Sequence, residues 1–550
     1  MVCNVIWFRR DLRLADHPAV QEAARRGVVV PLFILDPALL VHPETAPARV
    51  AFLLQSLRAL DADLRGRGAR LLVRYGEPVA ELIAVVKASG ADAVLAQVDH
   101  ERLLGRQRDA AATARLAREH IPLHWFEPPG GCADLLAYPA WSAHWQAAMA
   151  GSPLPAPERL QAPAASAALP DRPVPSLEEL GLRADGKPLP PAGSAAALAR
   201  LETFCQGPAA RRYYWELSYP AARVTSGLSP YLKFGVISPR QCLQRLQGLA
   251  RQEGPQARSA RQLASRLRWA AAMHQRFRYL PQLELRSLWN AYEPAGAEEQ
   301  DAGDPGALPP LSAREQEWYA RWCEGRTGFP IVDAAARCLL AEGGWLELNF
   351  RSRAISASFL ANLCGVDWRW GALHFMRHLI DGDCPIDHYQ WAMQAGVTVR
   401  GDGAWARIYH PGQVAVDRCD PQGEFIRRWL PELAELTNDQ LGQPPAMEAY
   451  PAPLLDYDTA RRQRQDTLTR QRLRMAEERS AIARLPLPWR AIPLLPAALP
   501  LDDLTPAQWR ALLSWFTAAR AAGVGAASSP VRRSRRQRQD PGQLSLDLGV

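Results

Sequence analysis

Short apolar runs alternate with amphipathic stretches over the first 130 residues. One such stretch, VAFLLQSLRALDADLRG (50–66), has the spacing of apolar residues that is typical of a helix. The runs between these stretches have the length of buried strands: NVIWF (4–8), VVVPLFIL (28–35), RLLVRYG (70–76), DAVLAQV (92–98) and IPLHWF (121–126). Because strands that alternate with helices pair in parallel, residues 1–130 are predicted to form an α/β domain with a parallel sheet. No GxGxxG follows the first run, so the usual dinucleotide fingerprint is absent.

The pattern changes after residue 130. Residues 131–195 are rich in Ala and Pro, which predicts a long connector laid over the surface. From 196 to 475 helical spacing dominates, as in PRQCLQRLQGLARQ (239–252), ASRLRWAAAMHQRF (264–277) and FPIVDAAARCLLAE (329–342). The expected fold is therefore an N-terminal parallel-sheet α/β domain joined by a long linker to an all-α domain.

Residues 476–550 form a C-terminal extension with a pattern of its own. The stretch LTPAQWRALLSWFTAARAAG (504–523) predicts one amphipathic helix with Thr505 as its N-cap. The residues after it, 528–550, are polar and basic and are predicted to be disordered.

Composition limits the class of protein. A chain of 550 residues with 48% hydrophobic and 22% charged residues fits a soluble protein of two or three domains. The net charge of +8 is compatible with nucleic-acid binding and equally with an Arg-rich enzyme. The nine cysteines show no CxxC spacing, which argues against a zinc or iron–sulfur site and for reduced thiols in the cytoplasm. Charges interrupt the N-terminal apolar run, and no apolar stretch is long enough to cross a membrane.

Three carboxylates stand in an apolar and aromatic stretch, HLIDGDCPIDHYQWAMQAG (378–396). They are Asp381, Asp383 and Asp387. Such a stretch is expected to be buried, and a buried carboxylate is costly unless it is paired. The segment therefore predicts a site that holds a partner for these groups.

Several motifs, in order, resemble the photolyase/cryptochrome family over roughly residues 1–475. They are IWFRRDLRLADHPA (6–19), TSGLSPYLKFGVISPRQ (225–241), WCEGRTGFPIVDAAARCL (322–339), DWRWGALHFMRHLIDGD (367–383), ARIYHPGQ (406–413) and FIRRWLPEL (425–433). The resemblance implies an antenna-type α/β domain, a helical FAD-binding domain and blue-light electron transfer. It leaves room for a second, antenna chromophore such as a folate or a deazaflavin.

The resemblance also implies which residues hold FAD. In TSGLS, hydroxyls and backbone N–H groups near a helix start suit a pyrophosphate, although a simple capping loop has the same composition. An Arg–Asp pair beside the flavin ring is preferred here to two surface aspartates in a turn. The implied FAD contacts are Tyr213, Thr225, Ser226, Leu228 (through its backbone), Ser229, Asn349, Arg353, Asp381, Asp383 and Asp387.

Asp387 falls at the family position nearest the flavin N5 atom. Bacterial photolyases of the common type carry Asn there, and plant cryptochromes carry Asp. A carboxyl buried beside the ring would have a raised pKa and would be able to protonate N5 of a photoreduced flavin. The alternative is that Asp387 caps a helix N-terminus.

Trp391 and Trp368 match two members of the family's tryptophan electron-transfer chain. Ser312 stands where the usual third tryptophan would be. Trp318, Trp322 and Trp370 are candidate substitutes, and plain core packing is the alternative for each of these rings.

The substrate side departs from the family pattern. Trp269 is retained and is expected to stack on a lesion base, but Arg266 replaces the usual Glu and Ala270-Ala271 replaces Arg-Glu. Arg266 and Arg351 are predicted contacts for substrate or DNA. The family's His-Asn-Arg-x-Arg run is Asn349-Phe350-Arg351-Ser352-Arg353 here, and the missing His argues against repair of (6-4) photoproducts. In the expected antenna region, Glu101 is the candidate contact.

The tail adds a possible partner. Its QLSLDL segment (543–548) resembles the peptide with which bacterial repair proteins bind the sliding clamp, through Gln543, Leu544, Leu546 and Leu548. A chance Leu-containing terminus is the alternative. The basic run Arg532–Arg538 is suited to DNA phosphates.

Two functions of different kinds follow from these features. The first is a deoxyribodipyrimidine photolyase, a lyase that repairs ultraviolet-damaged DNA by electron transfer from reduced FAD. The second is a bacterial cryptochrome that senses blue light without repair. A light-independent flavoprotein is a third, if the tryptophan chain is broken.

Overall fold

The computed structural model describes residues 2–133, 138–163, 172–279, 281–287, 290–293, 308–398 and 408–482. The expected C-terminal helix at 504–523 and the clamp-like segment at 543–548 lie outside these residues. No helix within the described ranges is long and apolar enough to cross a membrane.

The five strands predicted in the first 130 residues are present, and all their pairings are parallel. The sheet order is β3-β2-β1-β4-β5. The two strands that flank the central strand of the sheet are buried on both faces. Their residues therefore form continuous apolar runs in the sequence rather than an alternating pattern. The strands are β1 (Val2–Phe8), β2 (Gly27–Leu35), β3 (Leu72–Tyr75), β4 (Ala93–Gln97) and β5 (Leu123–Phe126).

Helices follow the strands, as the alternating pattern predicts. The strand order reverses between β1 and β4, and in such sheets a crevice opens outside the carboxyl ends of the two strands at this point. The crevice faces the helical domain. The helices are α1 (Pro18–Arg26), α2 (Pro37–Leu40), α3 (Pro47–Arg65), α4 (Pro78–Ser89) and α5 (Leu103–Arg118).

The predicted connector is not wholly irregular. It contains α6 (Tyr138–Ala150), whose Trp141, Trp145 and Met149 are buried in the core shared with the α/β domain. The Ala- and Pro-rich composition of residues 131–195 concealed this helix, because its large apolar residues are few. The connector therefore packs into the molecule over this part instead of lying over the surface.

The second domain is helical, as predicted. The segments expected to be helical at 239–252, 264–277 and 329–342 correspond to three of its helices. Its described α-helices are α7 (Ser194–Gln206), α8 (Pro208–Glu216), α9 (Ser229–Lys233), α10 (Pro239–Ala250), α11 (Pro255–Tyr279), α12 (Ala313–Cys323), α13 (Pro330–Glu342), α14 (Phe350–Ser358), α15 (Trp368–His378), α16 (Cys384–Gln394), α17 (Gln413–Cys419), α18 (Glu424–Trp429) and α19 (Tyr457–Ile482).

The two domains are tied together by buried polar contacts. Arg49 of α3 donates to the carbonyl oxygens of Met376 (2.7 Å) and Leu379 (2.8 Å) at the end of α15. Its guanidinium lies directly against Gly382, where a Cβ would overlap it. A side chain between Asp381 and Asp383 would therefore displace the Arg49 guanidinium from these two carbonyl oxygens.

Candidate active site

A cavity of about 420 Å³ lies where the α/β domain meets the helical domain. Its volume is within the range of small-molecule sites, about 300–1,000 Å³. The carboxyl ends of β1 and β4 supply one wall, with Arg10, Gln97 and Asp99. Six of the residues proposed from sequence line it: Ser229, Arg353, Asp381, Asp383, Asp387 and Trp391.

Arg353 and Asp381 form the predicted pair. The Arg353 Nη2 atom lies 3.3 Å from an Asp381 carboxylate oxygen, and the guanidinium also donates to the carbonyl oxygens of Leu348 (2.9 Å) and Gly344 (2.5 Å). Asn349 caps α14 by accepting from the Ser352 N–H at 3.0 Å. Its Nδ2 is buried and makes no hydrogen bond within the described ranges. A ligand with acceptor atoms, such as the ring or ribose of FAD, fits this unpaired donor.

Asp383 is the most heavily paired of the three carboxylates. It lies 2.6 Å from Arg10 Nη1, 3.1 Å from His274 Nε2 and 3.6 Å from Lys233 Nζ. Burial opposes its ionisation, but His274, Lys233 and Arg10 outweigh burial and hold the pKa of Asp383 well below its usual range. It also caps α16, since its side chain accepts from the Ile386 N–H. Asp383 is thus a fixed anion that joins the two domains.

Asp387 lies in the first turn of α16 and is not its N-cap, so the capping alternative is wrong. Its Oδ2 atom is buried and makes no hydrogen bond to any described residue. Burial raises the pKa of Asp387 to about 8. At neutral pH this carboxyl therefore carries a proton that it can donate.

Asp387→Asn is expected to reduce the loss of stability with rising pH. The unfolded carboxyl has a pKa of about 3.9, so the folded protein retains a proton that the unfolded chain releases. The stability from this group is fully present below about pH 4 and is lost as the pH rises toward 8. The difference between the two proteins should change by about 1.4 kcal/mol per pH unit. Urea unfolding of both at several pH values measures it, and parallel pH profiles would contradict the protonated state.

The TSGLS segment adopts a turn that ends in α9. The Thr225 hydroxyl donates to the Leu346 carbonyl oxygen at 3.1 Å, and the Ser226 carbonyl accepts from Arg200 Nε at 2.8 Å. Gly227 has a φ of +65° and lies against the Arg200 guanidinium, where a Cβ would come within 2.7 Å of it. Of this segment, Ser229 lines the cavity, while Leu228 is buried at the N-cap of α9. A phosphate role for these residues stays a prediction.

Tyr213 lies apart from the cavity wall. Its ring packs edge-on against Phe204 at 5.5 Å, and burial raises the pKa of its hydroxyl while the nearby Arg266 lowers it. The contact between Tyr213 and FAD therefore stays a prediction.

Trp391 is enclosed by other aromatic rings. Its ring centroid is 4.9 Å from Phe375 and 5.9 Å from Trp322, and a Cβ at Gly371 would overlap it. From Trp322 the rings continue to Tyr319 (6.1 Å) and from there to Trp370 (5.4 Å), which is partly exposed.

Trp368 begins α15 and packs against α16 at His388. Its ring is edge-on to His388 at 5.9 Å, and its Nε1 donates to Ser287 Oγ at 3.1 Å. Within the described ranges, no ring contact joins Trp368 to Trp391. Ser312, at the place of the usual third tryptophan, is the N-cap of α12. The role of Trp368 in electron transfer stays a prediction.

The predicted substrate residues lie around Phe350. The Arg266 guanidinium is 5.5 Å from the centre of the Phe350 ring, and Trp269 is edge-on to the same ring at 6.0 Å. Both Arg266 Nη2 and Trp269 Nε1 are buried and make no hydrogen bond within the described residues. Arg351 instead donates to the Tyr409 hydroxyl at 3.2 Å. Arg266 and Trp269 therefore each keep a buried donor without a partner among the described residues.

Glu101, the candidate antenna contact, is paired inside the protein. Its Oε1 is 2.8 Å from Lys233 Nζ, and Arg10 donates to Asp99 at 2.5 Å. Sequence reasoning missed Arg10, Lys233 and His274 as cavity residues. Arg10 was visible in the FRRDLR motif, but its partner in the second domain is 373 residues away.

Two family models match the chain over its two domains. The model described as "DNA photolyase" matches residues 4–130, and the model described as "FAD binding domain of DNA photolyase" matches residues 263–470. The first ends where the α/β domain was predicted to end. The second covers the helices that carry Arg353, Asp381 and Trp391, so the helical part of the chain is an FAD-binding domain of this type.

Relatives of both functional kinds are similar to the chain. A deoxyribodipyrimidine photo-lyase of Synechococcus sp. is 33% identical over 84% of this chain and 95% of its own length. Cryptochrome-1 of Arabidopsis thaliana is 30% identical over 87% of this chain and 72% of its own length. The crystal structure of a bacterial class III photolyase from Agrobacterium tumefaciens has the same fold, with a TM-score of 0.72, 24% identity and coverage of 86% and 98%. The chain belongs to the photolyase/cryptochrome family.

Proposed function

We propose that the protein is a light-driven DNA photolyase that splits pyrimidine dimers with the help of FAD. The observation that carries this proposal is a pair of buried donors beside Phe350 that have no partner within the described ranges: Arg266 Nη2 and Trp269 Nε1. An unpaired buried donor costs about 1–3 kcal/mol, so these atoms favour a ligand that supplies acceptors. Pyrimidine carbonyl oxygens are such acceptors.

Reduced FAD, when bound, supplies the electron that opens the cyclobutane ring of a dimer after it absorbs blue light. The residues of the chain would bind the flavin and the dimer, orient them, and supply a proton. Arg353 and Asp381 offer a paired donor and acceptor at the cavity wall, which avoids an isolated buried charge. Trp269, which is buried against Phe350, is the ring proposed to stack on an extruded base. Asp387 keeps a proton within the cavity.

Repair of an oligonucleotide that contains one thymine dimer tests the proposal. The flavin-loaded, chemically reduced protein is incubated with it under blue light and in the dark. We expect intact thymines to be recovered only in the light. A protein that holds flavin and reduces it in the light, yet restores no thymine, would overturn repair and favour the photoreceptor.

Arg266→Ala is expected to weaken binding of dimer-containing DNA. Loss of one well-placed donor pair to a base costs about 1–3 kcal/mol, so the dissociation constant should rise about 5- to 150-fold. Arg268→Ala, on the same helix, removes one positive charge and serves as the control. Fluorescence anisotropy with damaged and undamaged duplexes measures both. Equal losses in the two variants would show that Arg266 contributes only charge.

A cryptochrome without repair activity is the second candidate. The observation that favours it is Asp387, since a carboxyl in the cavity that stays protonated at neutral pH suits a photoreceptor. Similarity to Cryptochrome-1 of Arabidopsis agrees with either role. The repair experiment distinguishes the two.

The remaining parts of the proposal concern an antenna and a partner. The lobe of the cavity at the carboxyl ends of β1 and β4, with Gln97 and Trp145, is the proposed place of a second chromophore. Because Glu101 is already bound by Lys233, a folate held through that carboxylate is disfavoured.

DNA is the proposed partner, and binding of the sliding clamp through residues 543–548 rests on the sequence alone.

A further inference from the structure

We propose that His388 is a proton reserve for Asp387, and that Glu44 of the α/β domain holds this histidine in its charged form. The proposal rests on the proposed flavin chemistry in one respect, which is that Asp387 gives up its proton in the light. Its basis is a row of buried side chains that crosses the domain interface, from Asp387 through His388 and Glu44 to Arg102.

The first step of the row joins two unpaired atoms. His388 Nδ1 lies 3.7 Å from Asp387 Oδ2, and each is buried without a hydrogen bond in the part of the chain that is described. A buried polar atom without a partner needs an explanation, and here the two unpaired atoms face each other. A shift of less than 1 Å brings them within hydrogen-bond distance, so a proton can pass directly between them.

The second step fixes the charge of the histidine. His388 Nε2 lies 3.1 Å from Glu44 Oε1, while the other oxygen of Glu44 is 2.5 Å from Arg102 Nη2. Arg102 is in turn 3.2 Å from Glu284, so Glu44 cannot turn away from the histidine without breaking a pair. The edge-on contact with Trp368 holds the imidazole ring in the same orientation.

Several charged groups face the pair from the elements packed around it. Burial disfavours the histidine cation, but the Cys384 thiol and Glu44 outweigh burial and raise the pKa of His388 well above its usual range. Burial also works against the Glu44 anion, and Arg102 and His388 overcome this and lower its pKa. The other groups that face this row are His42, Arg49, Glu284 and Arg353.

The protons balance without any added reactant. When FAD is bound and reduced in the light, Asp387 would give up its proton and become a carboxylate. The His388 imidazolium would then give its Nδ1 proton to Asp387 and become neutral, while its Nε2 proton stays on the Glu44 hydrogen bond. Both transfers would reverse once the proton acceptor releases its proton. The transfer would leave Asp387 and His388 both neutral, while the Glu44 carboxylate stays paired with Arg102.

Light-minus-dark infrared spectroscopy of the flavin-loaded protein tests the reserve. In the unaltered protein the protonated carboxyl band of Asp387, assigned with Asp387→Asn, should survive illumination, and bands of the histidine cation should be lost. In His388→Gln the carboxyl band itself should be lost in the light. His378→Gln replaces another histidine of the same domain that is outside the row, and should behave as the unaltered protein.

A second variant covers the case in which His388→Gln does not fold. Glu44→Gln keeps the imidazole but removes its counter-charge, and should lower the pH at which His388 loses its proton by about 1–3 units. Nuclear magnetic resonance of the histidine measures this shift without light or flavin. An unshifted titration overturns the role of Glu44.

Two infrared results would overturn the reserve itself. If the carboxyl band is lost equally in the unaltered protein and in His388→Gln, Asp387 acts alone. If the band changes in neither protein, Asp387 donates nothing and needs no reserve. Neither result bears on dimer repair, which the oligonucleotide experiment tests separately.

Discussion

Trp391→Phe is expected to abolish photoreduction of the bound flavin. Trp391 lines the cavity, and phenylalanine is much harder to oxidise than tryptophan, so the substitution removes the proposed first electron donor but keeps an aromatic ring. The variant should still bind FAD, because Phe375 and Trp322 would still enclose the aromatic ring at position 391. Flavin absorbance under blue light with an external reductant measures the effect.

The same measurement distinguishes two routes beyond Trp391. The ring contacts lead through Trp322 and Tyr319 to Trp370, whereas the family resemblance points to Trp368. We expect Trp322→Phe to slow photoreduction more than Trp368→Phe does. The opposite order would show that the electron passes to Trp368. Trp318→Phe, on the same helix as Trp322, is a suitable control for general effects on the helix.

Asp383→Ala is expected to cause the largest loss of stability among substitutions at the cavity. It leaves Arg10, His274 and Lys233 without their shared anion, and removal of one member of a buried ionic group costs about 3–5 kcal/mol. The loss of the helix cap adds about 1 kcal/mol. Urea unfolding at neutral pH measures the change in the free energy of unfolding.

Asp383→Asn is the matched control, because an asparagine keeps the cap but not the charge. Asp383→Asn should lower the free energy of unfolding by less than Asp383→Ala does. The stability that the ionised Asp383 provides is present above the unfolded pKa of about 3.9 and is lost as the pH falls below it. The difference between the unaltered protein and either variant should therefore shrink in acid. A constant difference down to about pH 3 would mean that packing, not charge, is lost.

The strands and helices could be predicted closely because each depends on local spacing. The run VVVPLFIL (28–35) gave β2, and FPIVDAAARCLLAE (329–342) gave α13, each within one residue of its bounds. Helix α6 was missed since two tryptophans in an Ala-rich segment are a weak periodic signal. Tertiary burial of Trp141 and Trp145 supplies the stability that local spacing did not indicate.

The candidate site could be predicted only where its residues lie within a motif. Arg353, Asp381 and Trp391 line one cavity, as the resemblance implied. The partners of Asp383 and His388 could not be found this way, because Arg10 and Glu44 belong to the other domain. Whether Glu101 faces a chromophore or Lys233 likewise depends on how the domains meet. Charge pairs between segments far apart in the sequence produce no local pattern from which they could be predicted.

The shared wall of the cavity has a consequence for engineering and for evolution. Since Arg10 and Asp99 line the same space as Asp381 and Trp391, neither domain holds a complete pocket. A chimera that joins this helical domain to the α/β domain of a relative would have to inherit the matching charges at positions 10, 44 and 102. Substitutions on the two sides of the interface are thus expected to change together, and the two halves of the chain to be inherited as one unit.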